Sequence, residues 1–120
     1  MRNPADLRVL GEARELAIET YLATARFPGA ERFGLTAQMR RAAVSIGSNI
    51  VEGCHRASNR AFVVFLFNAL GSAAELQFQV ELAVQLGFGG RVELESLHAR
   101  ATDCKKMLSR LIASLRRRGN

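Results

Sequence analysis

Apolar side chains recur along this chain at alternating steps of three and four, the pattern of helices that each bury one face. The first segment places Leu7, Leu10, Ala13, Ala17, Tyr21 and Thr24 on one seam, and the second places Met39, Ala42, Ala43, Ile46 and Ile50 there. The third carries Phe62, Leu66, Ala69, Ala73, Leu76, Val80 and Ala83, and the fourth Leu94, Leu97, Ala101, Cys104, Leu108, Leu111 and Leu115. Helix breakers at FPGAERFG (27–34), EGCHRAS (52–58) and LGFGG (86–90) separate the segments. Helices are therefore predicted over roughly 5–26, 36–53, 59–87 and 91–118. Phe27 stands before Pro28 and so avoids the α region, while Thr36 and Ser58 are read as N-caps of the second and third helices. Short loops make neighbours antiparallel, and 3–4 spacing suits helices crossing at about 20°. Residues 1–120 thus read as one all-α domain, an up-down-up-down antiparallel four-helix bundle.

The third helix is more apolar than one seam requires. Between Asn59 and Gly87 the charged residues are Arg60, Glu75 and Glu81, and Val63, Phe67, Leu70, Ala74 and Phe78 make a second apolar stripe. A helix apolar on most sides must be covered on most sides, and a Phe-rich patch left in water marks an interface. A homo-oligomer is expected, with Val63, Phe67, Leu70 and Phe78 at the contact. The second helix is unusual in another way. SIGSNIVEG (45–53) puts serine, glycine, asparagine and glutamate where an amphipathic helix would run. Ala42, Ala43, Ser45, Gly47 and Ser48 are read as small groups admitting a close neighbour, repaying the roughly 1 kcal/mol that mid-helix glycine costs. Gln38, Arg41, Asn49 and Glu52, with Ser72 and Glu75 opposite, are read as a structural polar layer, and Glu75 as half of a buried charged pair.

Composition agrees with a folded helical domain. The 120 residues are 48% apolar and 23% charged, and 18 alanines and 15 leucines outnumber the 12 valines and isoleucines combined. The charge adds a functional expectation. The net +6 sits within residues 100 to 118, where Arg100, Lys105, Lys106, Arg110, Arg116, Arg117 and Arg118 oppose Asp103 alone. Such a basic segment suits a polyanion such as RNA or DNA. Lys106, Arg110 and Arg117 fall within about 40° around a helix, with Arg116 and Arg118 beside them. Arg40 and Arg41, with Arg56 and Arg60 at the following turn, form a second candidate patch. No base-reading motif is present, and the one tyrosine, Tyr21, falls on the core seam, so contact with backbone phosphates and little sequence preference is expected. The alternative is a protein-interaction scaffold whose basic face is merely solvated.

No signal-peptide pattern opens the chain, and the longest uncharged run, Ala61 to Ala74, is shorter than the roughly 20 residues a membrane span needs. A cytoplasmic protein without a membrane partner is expected, its Cys54 and Cys104 reduced and buried. Catalytic constellations are weak. Glu52-x-x-His55 and Glu95-x-x-His98, with Glu15 and Glu75, match the ligand count of a di-iron bundle, but a third helix of about 29 residues would hold the two pairs roughly 40 Å apart. Cys54 and His55 are adjacent and Cys104 is alone, which is no metal-finger spacing. GFGG (87–90) lacks the lysine of a phosphate loop and reads as a helix cap. No enzyme activity, metal, cofactor or small-molecule substrate is expected.

Specific motifs point further. Phe27-Pro28 with Glu31, Leu35 with Gln38, Ser45-Ile46, Asn49-Ile50, Glu52-Gly53, and Gly71-Ser72 with Glu75-Leu76 resemble, in order and spacing, the 23S rRNA intervening sequence proteins, also described as S23 ribosomal proteins. The resemblance is close over 27–88 and departs at Cys54-His55 and Asn68-Ala69-Leu70. It implies a left-handed antiparallel bundle that assembles as a ring, usually a pentamer, with no established enzyme activity. It implies RNA binding only by inference from where some members are encoded. Similar bundles serve as basic pentameric accessory proteins of diversity-generating retroelements.

Overall fold

A computed structural model describes residues 7–120. Four helices, α1 (Arg8–Thr24), α2 (Leu35–Cys54), α3 (Asn59–Leu86) and α4 (Arg91–Arg118), follow one another, with one 3-10 turn at Gly29–Glu31 and no strand among the described residues. Cross-helix pairs give the directions. Gly53 meets Phe62 while Ser45 bonds Ser72, so α2 and α3 run oppositely. Asn59 bonds Gly119, Gln77 bonds Thr102 and Glu81 meets His98, so α3 and α4 do too. Thr24 meets Arg40 while Leu10 faces Gly47, which sets α1 against α2. Each helix touches its two neighbours in a square, α1 and α3 lying on one diagonal and α2 and α4 on the other. The body measures 46 × 22 × 19 Å.

The ends of the helices are held by local chemistry. Ser58 caps α3, its hydroxyl accepting from Ala61 N at 3.1 Å. Thr36 does not cap α2: the helix starts a residue earlier, and Glu31 Oε1, delivered by the 3-10 turn, accepts from Leu35 N at 3.1 Å. Thr36 is buried instead. At the end of α3, Gly87 turns left-handed (φ 74°), Phe88 N donates to Ala83 O and Gly87 N to Val84 O. That pair of hydrogen bonds closes the last turn and tips Phe88 onto Phe27, ring centroids 5.7 Å apart.

The predicted seams of α2 and α3 are buried throughout, whereas α1 is rotated. Val9, Leu10, Ala13, Leu16, Thr20, Ala23 and Thr24 face the core, and Tyr21 is exposed. Thr20 and Thr24 are tolerated because each hydroxyl donates to a carbonyl one turn back, Leu16 O at 2.8 Å and Thr20 O at 2.7 Å, leaving the methyl as the packing surface. In α4 the seam steps from Leu108 to Ile112, and Leu111 is only partly buried. The second stripe of α3 also shifts. Val63 is 8% exposed and Leu70 packs against the core, so the chain itself covers two of the four expected interface residues. The open stripe runs instead through Val64, Phe67, Gly71, Ala74, Phe78 and Leu82.

Among the described residues α3 alone is long and apolar enough to cross a membrane, but only 39% of its most apolar window is buried in the bundle. Part of that apolar character therefore serves the core and part faces outward.

Candidate functional site

Antiparallel packing brings the end of α2, the start of α3 and the end of α4 together at one end of the bundle. Arg56, Arg60, Arg116, Arg117 and Arg118 converge there, all exposed, with Glu52 as the carboxylate that reaches one of them, 3.7 Å from Arg56. Elsewhere three arginines are balanced by carboxylates. Arg26 meets Glu93 at 3.3 Å, Arg91 meets Glu95 at 3.1 Å, and Arg100 pairs with Glu19 and lies 4.0 Å from Glu12. Lys105 Nζ donates to Gln77 Oε1 at 2.8 Å, within a bridge whose Nε2 bonds Thr102 Oγ1 at 2.7 Å and His98 O at 3.0 Å. So of the positive charges at 100–118, Arg100 and Lys105 are committed to the fold. Lys106, Arg110 and Arg116 to Arg118 face solvent.

The second predicted patch separates. Arg40 and Arg41 lie 13 residues or more before the end of α2 at Cys54, about 20 Å from the end where Arg56 and Arg60 stand. Arg40 is engaged within the chain, its Nε donating to Thr24 Oγ1 at 2.9 Å and its guanidinium lying over the Tyr21 ring at 4.5 Å. Three further arginines cover aromatic rings: Arg32 over Phe33 (5.4 Å), Arg56 over Phe65 (4.6 Å) and Arg116 over Phe67 (4.9 Å). Sequence reasoning missed these four pairs. Only Arg32-Phe33 is adjacent in sequence; the Arg116 to Phe67 pair spans two helices and exists only once their register is set.

The polar layer is an open groove. Gln38, Arg41, Ser45 and Glu75, with Tyr21 and Phe33, help line a surface depression of about 1140 Å³. Tyr21, Gln38, Arg41 and Glu75 line it together, but all four are exposed and Glu75 has no ion pair among the described residues. It is not half of a buried charged pair: it stands on an α3 face that no neighbouring helix of the chain covers. Glu52 is exposed too, bridged to Arg56. What does cross α2–α3 is hydroxyl chemistry: Ser72 Oγ donates to Ser45 Oγ at 2.9 Å, and Asn49 Nδ2 donates to Ser45 O and Oγ at 2.9 and 3.1 Å. Gln79, 5% exposed, also lines the groove, and its Oε1 has no hydrogen-bond partner among the described residues.

The two Glu-x-x-His pairs lie at opposite ends of the bundle. His55 follows α2 beside the start of α3, while His98 Nε2 meets Glu81 Oε2 at 2.8 Å near the end of α3. No three metal-ligating side chains converge among the described residues. Cys54 and Cys104 are both buried and outside any disulfide, and burial, with a smaller push from the Glu12 carboxylate, raises the Cys104 thiol to about 11.

The bundle is similar to the crystal structure of a protein with unknown function from the S23 ribosomal protein family of Bacteroides thetaiotaomicron. The TM-score is 0.77 and the identity 27%, over 87% of this chain and 97% of that one. No curated protein matches the chain. The 23S rRNA-intervening sequence protein family matches residues 5–110, a span that runs from α1 into the basic half of α4. With fold, motifs and match agreeing over nearly its whole length, the chain belongs to the 23S rRNA-intervening sequence protein family.

Proposed function

We propose that this chain is a non-enzymatic bundle that assembles with copies of itself, as a pentamer by family resemblance, and holds RNA or DNA through backbone phosphates. The observation that carries the nucleic-acid reading is the uneven balancing of charge. Arg26, Arg91 and Arg100 are paired with glutamates, while five arginines gathered at one end have one glutamate, Glu52, within ion-pair reach among the described residues. Arginine binds phosphate bidentately and cannot lose its proton, so this end carries a lasting positive field. Repetition of it around an assembly multiplies the phosphates contacted.

Assembly is supported by the open stripe of α3. Phe78 is 63% and Leu82 40% exposed. A methyl group at Gly71 would meet nothing within 4 Å, so the chain's own packing gives that mid-helix glycine no reason. A second copy lying close against Gly71, Ala74 and Phe78 supplies one. The unpartnered Gln79 Oε1 in the adjoining groove awaits a donor from the same source.

Fluorescence anisotropy on mixed-sequence RNA and DNA, titrated with salt, tests the nucleic-acid reading. Each phosphate neutralised steepens log K against log salt by about 0.9 on duplex DNA and about 0.7 on single strands. Replacing Arg116, Arg117 and Arg118 with glutamine flattens that slope and weakens binding to every sequence alike. Absence of binding even at low salt leaves the scaffold reading, which the same α3 stripe favours, and a protein partner to be found by pull-down.

A further inference from the structure

Between the start of α3 and the end of α4 lies a cleft of about 630 Å³. Its floor is apolar, made by Val63, Val64, Phe67 and Leu115, and Arg60 and Arg116 stand at its sides. Phe67 is 44% exposed and has the Arg116 guanidinium 4.9 Å from its ring centroid. The α3 stripe therefore changes character along its length. Towards Phe78 it is bare apolar surface, suited to a protein contact. At Phe67 a guanidinium lies across it, and burying that charge against an apolar partner would cost its hydration.

A duplex and a single strand would use this end differently. A duplex offers phosphates but keeps the faces of its bases inside the stack, so it can engage the arginines and leave the apolar floor empty. An unpaired strand offers both. Its bases are π-faces that stack on aromatic rings and on guanidinium planes, whatever their identity. A ring already paired with an arginine, in the floor of an apolar cleft flanked by two arginines, matches that combination. We propose that this end binds single-stranded nucleic acid, an unpaired base entering the α3–α4 cleft to stack on Phe67 while Arg60 and Arg116 to Arg118 hold the flanking phosphates. This rests on the phosphate-binding reading above and adds to it a strand class and a base-contacting residue.

The test uses the full chain and four labelled probes: single-stranded RNA and DNA of roughly 16 nucleotides, the matching duplex, and a strand of equal charge with abasic sites at its centre. Wild type binds the intact single strands about tenfold more tightly than the duplex or the abasic strand, the scale of one stacked base. Phe67→Leu, which keeps the apolar floor but removes the ring, erases that preference without changing duplex affinity, and Phe67→Tyr retains it. Equal affinity of wild type for all four probes overturns the proposal while leaving phosphate binding in place. So does a Phe67→Leu protein that keeps the preference, or one whose mass by light scattering falls, since Phe67 would then be an assembly contact. If no probe binds at low salt, this proposal and the reading beneath it fall together.

Discussion

A methyl group added at Gly53 would lie 2.6 Å from Phe62 Cδ1 and 2.9 Å from Phe65 Cβ, whereas one added at Gly47 would rest at 3.8 Å from Ala13 and Leu10. The first glycine is required by the close approach of α3 where it turns out of α2; the second is not required by its neighbours within the chain. Gly53→Ala is therefore expected to lose about 1–3 kcal/mol to overpacking, more than the roughly 1 kcal/mol of helix propensity it gains. Gly47→Ala gains most of that propensity term and raises the melting temperature, and thermal unfolding of the two variants reads the opposite signs. Cys104 gives a second expectation. Its thiol is raised in the folded chain from an ordinary value of 9.0 to about 11, mainly by burial and secondarily by Glu12. Folding thus favours the neutral thiol, a contribution fully present below about pH 9 and lost as the pH climbs towards 11. Cys104→Ser shows a smaller loss of stability over that window than wild type in denaturant titrations. Wild type and variant declining in parallel there would mean that the thiol does not titrate with unfolding.

Each helix takes its end from whatever donor or acceptor the neighbouring loop delivers. α3 carries its own cap in Ser58, but α2 borrows one from Glu31 across the 3-10 turn. Glu31→Ala is expected to cost about 1 kcal/mol, the usual worth of a side-chain cap, and to fray the first turn of α2 in hydrogen exchange. Fraying there loosens the groove at Gln38 and Arg41, while the arginine-rich end at the far end of α2 keeps its protection. Equal loss of protection at both ends would show that the cap governs the whole helix. The same logic explains why α1 is rotated from its predicted phase. Tyr21 cannot enter the core without a partner for its hydroxyl, whereas Thr20 and Thr24 satisfy theirs on their own helix.

For the molecule as a whole, charge and apolar surface divide along its length. One end gathers arginines; the outward face of α3 leads away from it through Gly71, Ala74, Phe78 and Leu82. Phe78→Asp puts a charge on that face at a residue 63% exposed, so the bundle itself keeps its helicity and melting cooperativity. Its mass by light scattering is expected to drop to that of a single chain. A wild-type protein that is already monomeric at micromolar concentration removes the assembly reading, and leaves Gly71 without an explanation.

Much of this architecture is legible in the order of residues because helix formation and amphipathic burial are local. A step of three or four along the chain is a step along one face, so the seams of α2 and α3 and the cap at Ser58 follow from spacing alone. The exposed apolar excess of α3 follows in the same way, although of the four residues expected to carry it only Phe67 and Phe78 do. Val63 and Leu70 are covered because α3 rolls towards its neighbours, an angle set by packing between helices. The candidate site is legible only in part. Sequence counts the arginines at 116 to 118, but it cannot see that Arg100 is neutralised by Glu19 on α1 or that Lys105 is tied to Gln77. Nor can it show that Arg116 lies across Phe67. Those facts depend on register between helices far apart in the chain. Local spacing determines that there are four helices and which residues compose most of their inner faces. Only the tertiary packing decides which charges remain free and which aromatic rings they cover, because both are settled by neighbours the sequence does not place side by side.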